Sequence, residues 1–164
     1  MLPFADKKEE KMEKIASFKI NHNILEKGVY ISRVDGDIIT YDIRMKKPNN
    51  GDYLSNGIMH TFEHLFAVYA RNTKFAENII YIGPMGCRTG FYFLVRDKIT
   101  HNEALQIIKD SFEFIKNYSG EIPGAKKEEC GNYKDHDLAG AKAAAFDMLK
   151  VLKDWSAEKM TYEK

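Results

Sequence analysis

The sequence predicts an α+β domain: an antiparallel β-sheet packed against about three to four helices. Two observations carry this. Two β-rich runs, 29–34 and 37–45, flank Asp35-Gly36, a strong hairpin signal between strands. Several later segments carry apolar residues at helical spacing, one of them opened by a Thr100–Glu103 capping box. Strands adjacent by hairpin, followed by helices that need an apolar face to cover, lead to this class.

Taken in order, residues 1–16 are highly charged and predict a solvated N-terminal extension. Phe18 to Leu25 is expected to add a strand before the hairpin. The hairpin itself is expected to turn at Asp35-Gly36 with type I′ geometry, which needs positive φ at both centre residues. Pro48-Asn49-Asn50-Gly51-Asp52 forms a loop. A helix is predicted from about Gly57 to about Asn72, with Ile58, Phe62, Leu65, Phe66 and Tyr69 on its core side. Residues 78–82 and 90–95 read as strands around the turn Gly83-Pro84-Met85-Gly86-Cys87. The capped helix carries Leu105, Ile108, Phe112 and Ile115 on one stripe and should end at Gly120. A last helix starts near Leu138, with Ala141, Ala145, Met148, Leu149 and Leu152 inward and Trp155 packed in its final part.

The length of 164 residues fits one domain, 1–164, with 1–16 as its charged extension. A net charge of +1 gives no reason to expect a nucleic-acid or anionic-membrane partner. No apolar run approaches the roughly 20 residues of a spanning helix. The N-terminus lacks the apolar stretch of a signal peptide, so a cytoplasmic location is expected and Cys87 and Cys130 should be reduced thiols.

The most informative segment is His60-Thr61-Phe62-Glu63-His64. Two histidines four residues apart on a helix are separated by roughly 40° of rotation, so both reach one metal ion. Glu63 sits beside them, where a carboxylate acts on a metal-bound oxygen without ligating. A catalytic metal typically takes three protein ligands. By residue chemistry alone either Cys87 or Cys130 supplies the third. If both bind, the site is a closed His2Cys2 metal-binding module without catalysis. If one binds, an open position remains and the other thiol is free for proton transfer, which for Cys87 the adjacent Arg88 would assist. Two features favour the open site: the cysteines are far apart rather than in a CxxC knuckle, and Glu63 has no purpose beside a closed metal. HxxEH is also a metallopeptidase array, although those enzymes are usually much larger and take a distant carboxylate as third ligand.

Three stretches in order, 60–67, 84–92 (Pro-Met-Gly-Cys-Arg-Thr-Gly-Phe-Tyr) and 129–138 (Glu-Cys-Gly-Asn through His136-Asp137-Leu138), resemble the S-ribosylhomocysteine lyase (LuxS) family. The resemblance runs from about Ser17 to the last helix. It implies a lyase that cleaves S-ribosylhomocysteine to homocysteine and 4,5-dihydroxy-2,3-pentanedione, the autoinducer-2 precursor used in quorum sensing. It further implies His60, His64 and Cys130 as ligands of Fe(II), replaceable by Zn(II) or Co(II), with Cys87 and Glu63 as the catalytic acid–base groups. Ser17, His22 and Arg44 match substrate-binding positions, and the family forms homodimers with active sites at the interface. One departure stands out: a position three residues before Pro84 that is often Asp in the family is Tyr81 here. Without the resemblance, Arg44 reads as a solvated strand end, His22 as core or substrate-facing, and His101 as exposed. His136 reads as a structural residue that orients Cys130 or caps the last helix.

Overall fold

A computed structural model describes residues 12–164, and the charged residues 1–11 lie outside the described residues. One four-stranded antiparallel sheet is formed by β1 (Gly28–Asp35), β2 (Ile38–Arg44), β3 (Ile79–Pro84) and β4 (Gly90–Arg96), in the order β1-β2-β4-β3. Among the described residues four α-helices accompany it: the short α1 (Ala16–Lys19), then α2 (Asn56–Ala70), α3 (His101–Asn117) and α4 (Leu138–Leu152). The β2–β4 pairing is regular in register, with Ile39 opposite Val95, Tyr41 opposite Phe93 and Ile43 opposite Phe91, whereas the β1–β2 pairing shifts register between Ile31 and Arg33. Because side chains alternate along a strand, these residues share one face. All but Ile39 are wholly buried, and with Phe62, Phe66 and Phe112 of the helices they form the core. The other face carries Tyr30, Asp42 and Arg44, and it too is buried there.

The predicted class holds, with local corrections. Residues 18–25 make no strand. The chain forms α1 and then turns, so β1 is the first strand among the described residues. The hairpin loop is Gly36-Asp37, since Asp35 pairs with Ile38. Only Gly36 has positive φ (59°), the pattern of a type II′ turn rather than type I′. Helix α2 is capped by Ser55, whose Oγ accepts the Ile58 N–H at 3.2 Å. Its core side includes Met59 and Ala70, whereas Ile58 and Tyr69 are half-buried. The capping box of α3 is present in both directions, Glu103 N–H to Thr100 Oγ1 and Thr100 N–H to Glu103 Oε2. That helix stops at Asn117, before Gly120, because Tyr118 is already extended. Trp155 lies beyond α4 rather than in it, with its Nε1–H on the Val29 carbonyl at 3.0 Å. The expectation that it packs is met. Among the described residues no helix is long and apolar enough to cross a membrane.

Candidate active site

Helix α2 turns Phe62 and Phe66 into the core and leaves His60, Glu63 and His64 half-buried on its other side. The residues that meet them come from the irregular chain between α3 and α4. His60 Nδ1 lies 2.8 Å from the Asp135 carbonyl, and His64 Nδ1 lies 2.8 Å from the Pro123 carbonyl. A carbonyl only accepts, so each Nδ1 carries the proton and each Nε2 presents a lone pair. His60 Nε2 is 3.3 Å from Cys130 Sγ. That spacing is close to the edge of a tetrahedral site, about 3.5 Å for the usual metal–N and metal–S bonds. Gly124 permits the approach of the loop to His64: its φ is 74° and an added Cβ would stand 3.1 Å from Nδ1. The three predicted ligands therefore fit a divalent ion that accepts nitrogen and sulfur.

One nitrogen each of His60, His64 and His136, together with Cys130 Sγ, lie within 4.8 Å of one another. His136 was expected to be a structural residue that orients Cys130 or caps the last helix. The cap of α4 is Asp137 instead, whose Oδ1 accepts the Gly140 N–H at 2.8 Å. His136 stacks on His60 with ring centroids 4.0 Å apart. Burial first, and then the neighbouring His60 and His64, hold its pKa below the ordinary histidine value. The aromatic proximity of the three rings could not be read from a sequence position more than seventy residues from α2. Cys87 and Glu63 are outside the cluster, so the four-ligand His2Cys2 arrangement is not what the chain forms.

Cys87 is exposed and stands at a second polar centre. Gly90 pairs with Arg44, and an added Cβ on Gly90 would lie 1.9 Å from the Ile43 carbonyl oxygen, so only glycine lets β4 start this close to β2. The turn that precedes it places Thr89 Oγ1 2.7 Å from Arg44 Nη1 and 3.1 Å from Cys87 Sγ. Arg44 Nη1 is 4.0 Å from the same sulfur. The Thr89 hydroxyl accepts from Arg44 and has its own hydrogen left for Sγ. Arg44 is not a solvated strand end: it is buried and forks onto Asp42 at 3.1 and 2.7 Å. Asp42 also accepts the Tyr162 hydroxyl at 2.6 Å. Burial acts on the Arg44 guanidinium first, to lower its pKa, but is outweighed by the Asp42 carboxylate, and the group stays above the ordinary arginine value. Arg88, the neighbour the sequence offered to Cys87, lies over the Tyr53 ring instead.

The two centres are joined through the core, where Phe62 of α2 stacks on Phe91 of β4 at 5.0 Å. The remaining candidates sit elsewhere. Ser17 and His22 are half-buried on the N-terminal segment, where His22 Nδ1 bonds the Ile20 carbonyl at 2.8 Å. His101 is not exposed as expected: it is half-buried, with Nδ1 2.6 Å from the Tyr41 hydroxyl. Tyr81 is 53% exposed on β3 and its ring occupies the space over Gly83.

Comparison with known proteins agrees with this geometry. A sequence profile described as S-Ribosylhomocysteinase (LuxS) matches residues 15–159. An S-ribosylhomocysteine lyase of Clostridium acetobutylicum is 42% identical over 156 residues, covering 92% of this chain and 99% of the relative. One of Finegoldia magna is 43% identical over 155 residues, with the same coverage of 92% and 99%. A third, of Clostridium beijerinckii, is 44% identical over 143 residues, covering 84% and 90%. With the match spanning both polar centres and nearly every element of the fold, the chain belongs to the S-ribosylhomocysteinase (LuxS) family.

Proposed function

We propose that this protein is a carbon–sulfur lyase that converts S-ribosylhomocysteine to homocysteine and 4,5-dihydroxy-2,3-pentanedione by carbonyl migration along the ribose and β-elimination. The observation that carries the reading is the pairing of a His60/His64/Cys130 donor set with a separate thiol, Cys87, beside a buried arginine. His60, His64 and Cys130 hold the metal in this reading, with Fe(II) the native ion and Zn(II) or Co(II) able to replace it. When bound, the metal supplies Lewis-acid stabilisation of negative charge on the substrate oxygens.

The remaining chemistry falls to the chain's own groups. Carbonyl migration removes a proton from carbon next to a carbonyl and returns one to the neighbouring carbon. Cys87 Sγ does this, with the Arg44 N–H and the Thr89 O–H oriented to support negative charge on the sulfur. Glu63, on the ligand side of α2 but outside the cluster, moves protons between substrate oxygens and assists release of the homocysteine thiolate. Ser17, His22 and Arg44 bind substrate in this reading. Arg44 retains a single uncommitted N–H for it after Asp42, Thr89 and Cys87 are served. Among the described residues, Ser17 and His22 make no hydrogen bond to either polar centre, and a homodimer with each site completed by a partner would bring them to one. Phe18, 68% exposed beside Ser17, supports an interface there. Reaction in the cytoplasm accords with two unpaired thiols.

The test is anaerobic incubation of Fe(II)- or Co(II)-loaded protein with S-ribosylhomocysteine, with homocysteine followed by a disulfide reagent. Metal-dependent thiol release, lost by at least a hundredfold in Cys87→Ala and Glu63→Gln with metal content intact, is expected. Full turnover in Cys87→Ala would remove Cys87 from the mechanism. No release by loaded wild-type protein would remove the activity itself. Sedimentation of wild-type and Phe18→Asp protein reads the dimer.

A further inference from the structure

His136 has no task in the reaction above, yet it lies among the ligands. Its Nδ1 is 3.0 Å from Thr61 Oγ1. Thr61 is fully buried, and its oxygen already accepts the Asp137 N–H at 2.9 Å. The hydroxyl hydrogen then needs an acceptor, and among the described residues His136 Nδ1 is the one it meets. His136 Nδ1 therefore presents a lone pair and its proton sits on Nε2. This is the reverse of His60 and His64, whose Nδ1 atoms face carbonyls. Three rings packed together thus carry two bare Nε2 atoms and one Nε2–H. That N–H is buried and has no acceptor among the described residues. Buried donors are rarely left unpaired, because the lost hydration is not recovered. The neighbour with spare acceptor capacity is Cys130 Sγ, in the same cluster of donor atoms.

We propose that His136 is a positioning residue of the metal centre: its Nε2–H donates to the Cys130 thiolate and the ring does not ligate the ion. The inference rests on the reading of His60, His64 and Cys130 as ligands. A hydrogen bond to a ligating sulfur withdraws charge from it, which fixes the thiolate in place and leaves the metal a stronger acid toward substrate. Thr61 takes part at one remove, since its hydroxyl sets the tautomer. The arrangement explains why the HxxEH helix carries a threonine between its first histidine and its core phenylalanine, where an apolar residue would pack as well.

The test uses the Co(II)-loaded full chain, the thiolate-to-cobalt charge-transfer band, a count of coordinated imidazoles by X-ray absorption, and cobalt affinity by chelator competition. Wild-type protein is expected to show one sulfur and two imidazoles. His136→Phe keeps a ring on His60 and removes the N–H. It should keep that ligand count, move the band to longer wavelength and weaken cobalt binding by about 10- to 100-fold. His136→Gln, which restores an N–H donor, should move the band back. Thr61→Val should shift it as His136→Phe does, and Thr61→Val against His136→Gln carries the comparison if the phenylalanine variant does not fold. Three imidazoles in wild type falling to two in the variant would make His136 a ligand and overturn the proposal. An unmoved band and affinity would reduce His136 to packing. A wild-type protein with no thiolate band would instead overturn the ligand assignment on which the proposal stands.

Discussion

Arg44 and Asp42 form an ion pair with almost no solvent contact, their side chains 3% and 0% exposed. Such a pair is tolerated because all but one of its donors are answered: the fork meets both carboxylate oxygens, Thr89 and Cys87 take further N–H groups, and Tyr162 adds an O–H to the carboxylate. Removing one partner leaves the other charge buried. Arg44→Met is expected to cost about 3–5 kcal/mol in urea unfolding. The same variant should slow alkylation of Cys87 at neutral pH, while Cys130 in metal-loaded protein is unaffected, because the sulfur loses its nearby cation. An alkylation rate equal to wild type would separate Arg44 from the thiol chemistry. Arg44 looked like an exposed strand end in the sequence because nothing local signals its burial. The residue that closes over its carboxylate partner, Tyr162, is 120 positions from Asp42.

At the level of elements, the site depends on one regular segment and one irregular one. Helix α2 was legible: its periodicity, its two faces and the metal-binding spacing all follow from residues within a few turns. Apart from the family resemblance of 129–138, the chain from Pro123 to His136 was legible only as a loop with a cysteine, since its shape is set by contacts to α2. His64 holds Pro123, His60 holds Asp135, and Cys130 meets His60. A bound metal would tie this loop to α2 through Cys130 as well, so its removal should loosen the loop before the sheet. Limited proteolysis of chelated protein is expected to cut within residues 124–134, after Lys126, Lys127 or Lys134, and metal readdition should suppress the cut. Equal cleavage with and without metal would contradict that coupling. Strand pairing has its own weak point at Gly90. Gly90→Ala forces a Cβ into the Ile43 carbonyl and should destabilise the fold by more than about 2 kcal/mol, or leave the protein insoluble. Wild-type stability in that variant would show that β2 and β4 can separate there without loss.

Across the whole molecule, the phenols couple packing to pH. Burial of the wholly buried Tyr41 pushes its phenol up to about 12. Burial first, and then the charge of Asp42, raises Tyr162 as well. The neutral form of a tyrosine is the protonated one, so a raised native pKa means that the folded state keeps a proton the unfolded chain releases near pH 10. Below about pH 10 both states hold it and stability does not change with pH through these groups. Above that, stability should fall by up to about 1.4 kcal/mol per pH unit for each such phenol, until the native protein titrates too. The sequence shows nine tyrosines with no means of ranking them. The ranking comes from the sheet: Tyr41 points into the helical side, whereas Tyr162 seals the opposite side over Asp42. Urea midpoints measured at pH 8 through 11 should therefore be level at first and then decline. Tyr162→Phe should start lower, having lost a hydrogen bond to a charged group, yet decline less steeply because one of the protons in question is gone. A wild-type profile that stays level to pH 11, or a Tyr162→Phe profile parallel to it, would show that the C-terminal tail does not hold Tyr162 protonated against Asp42.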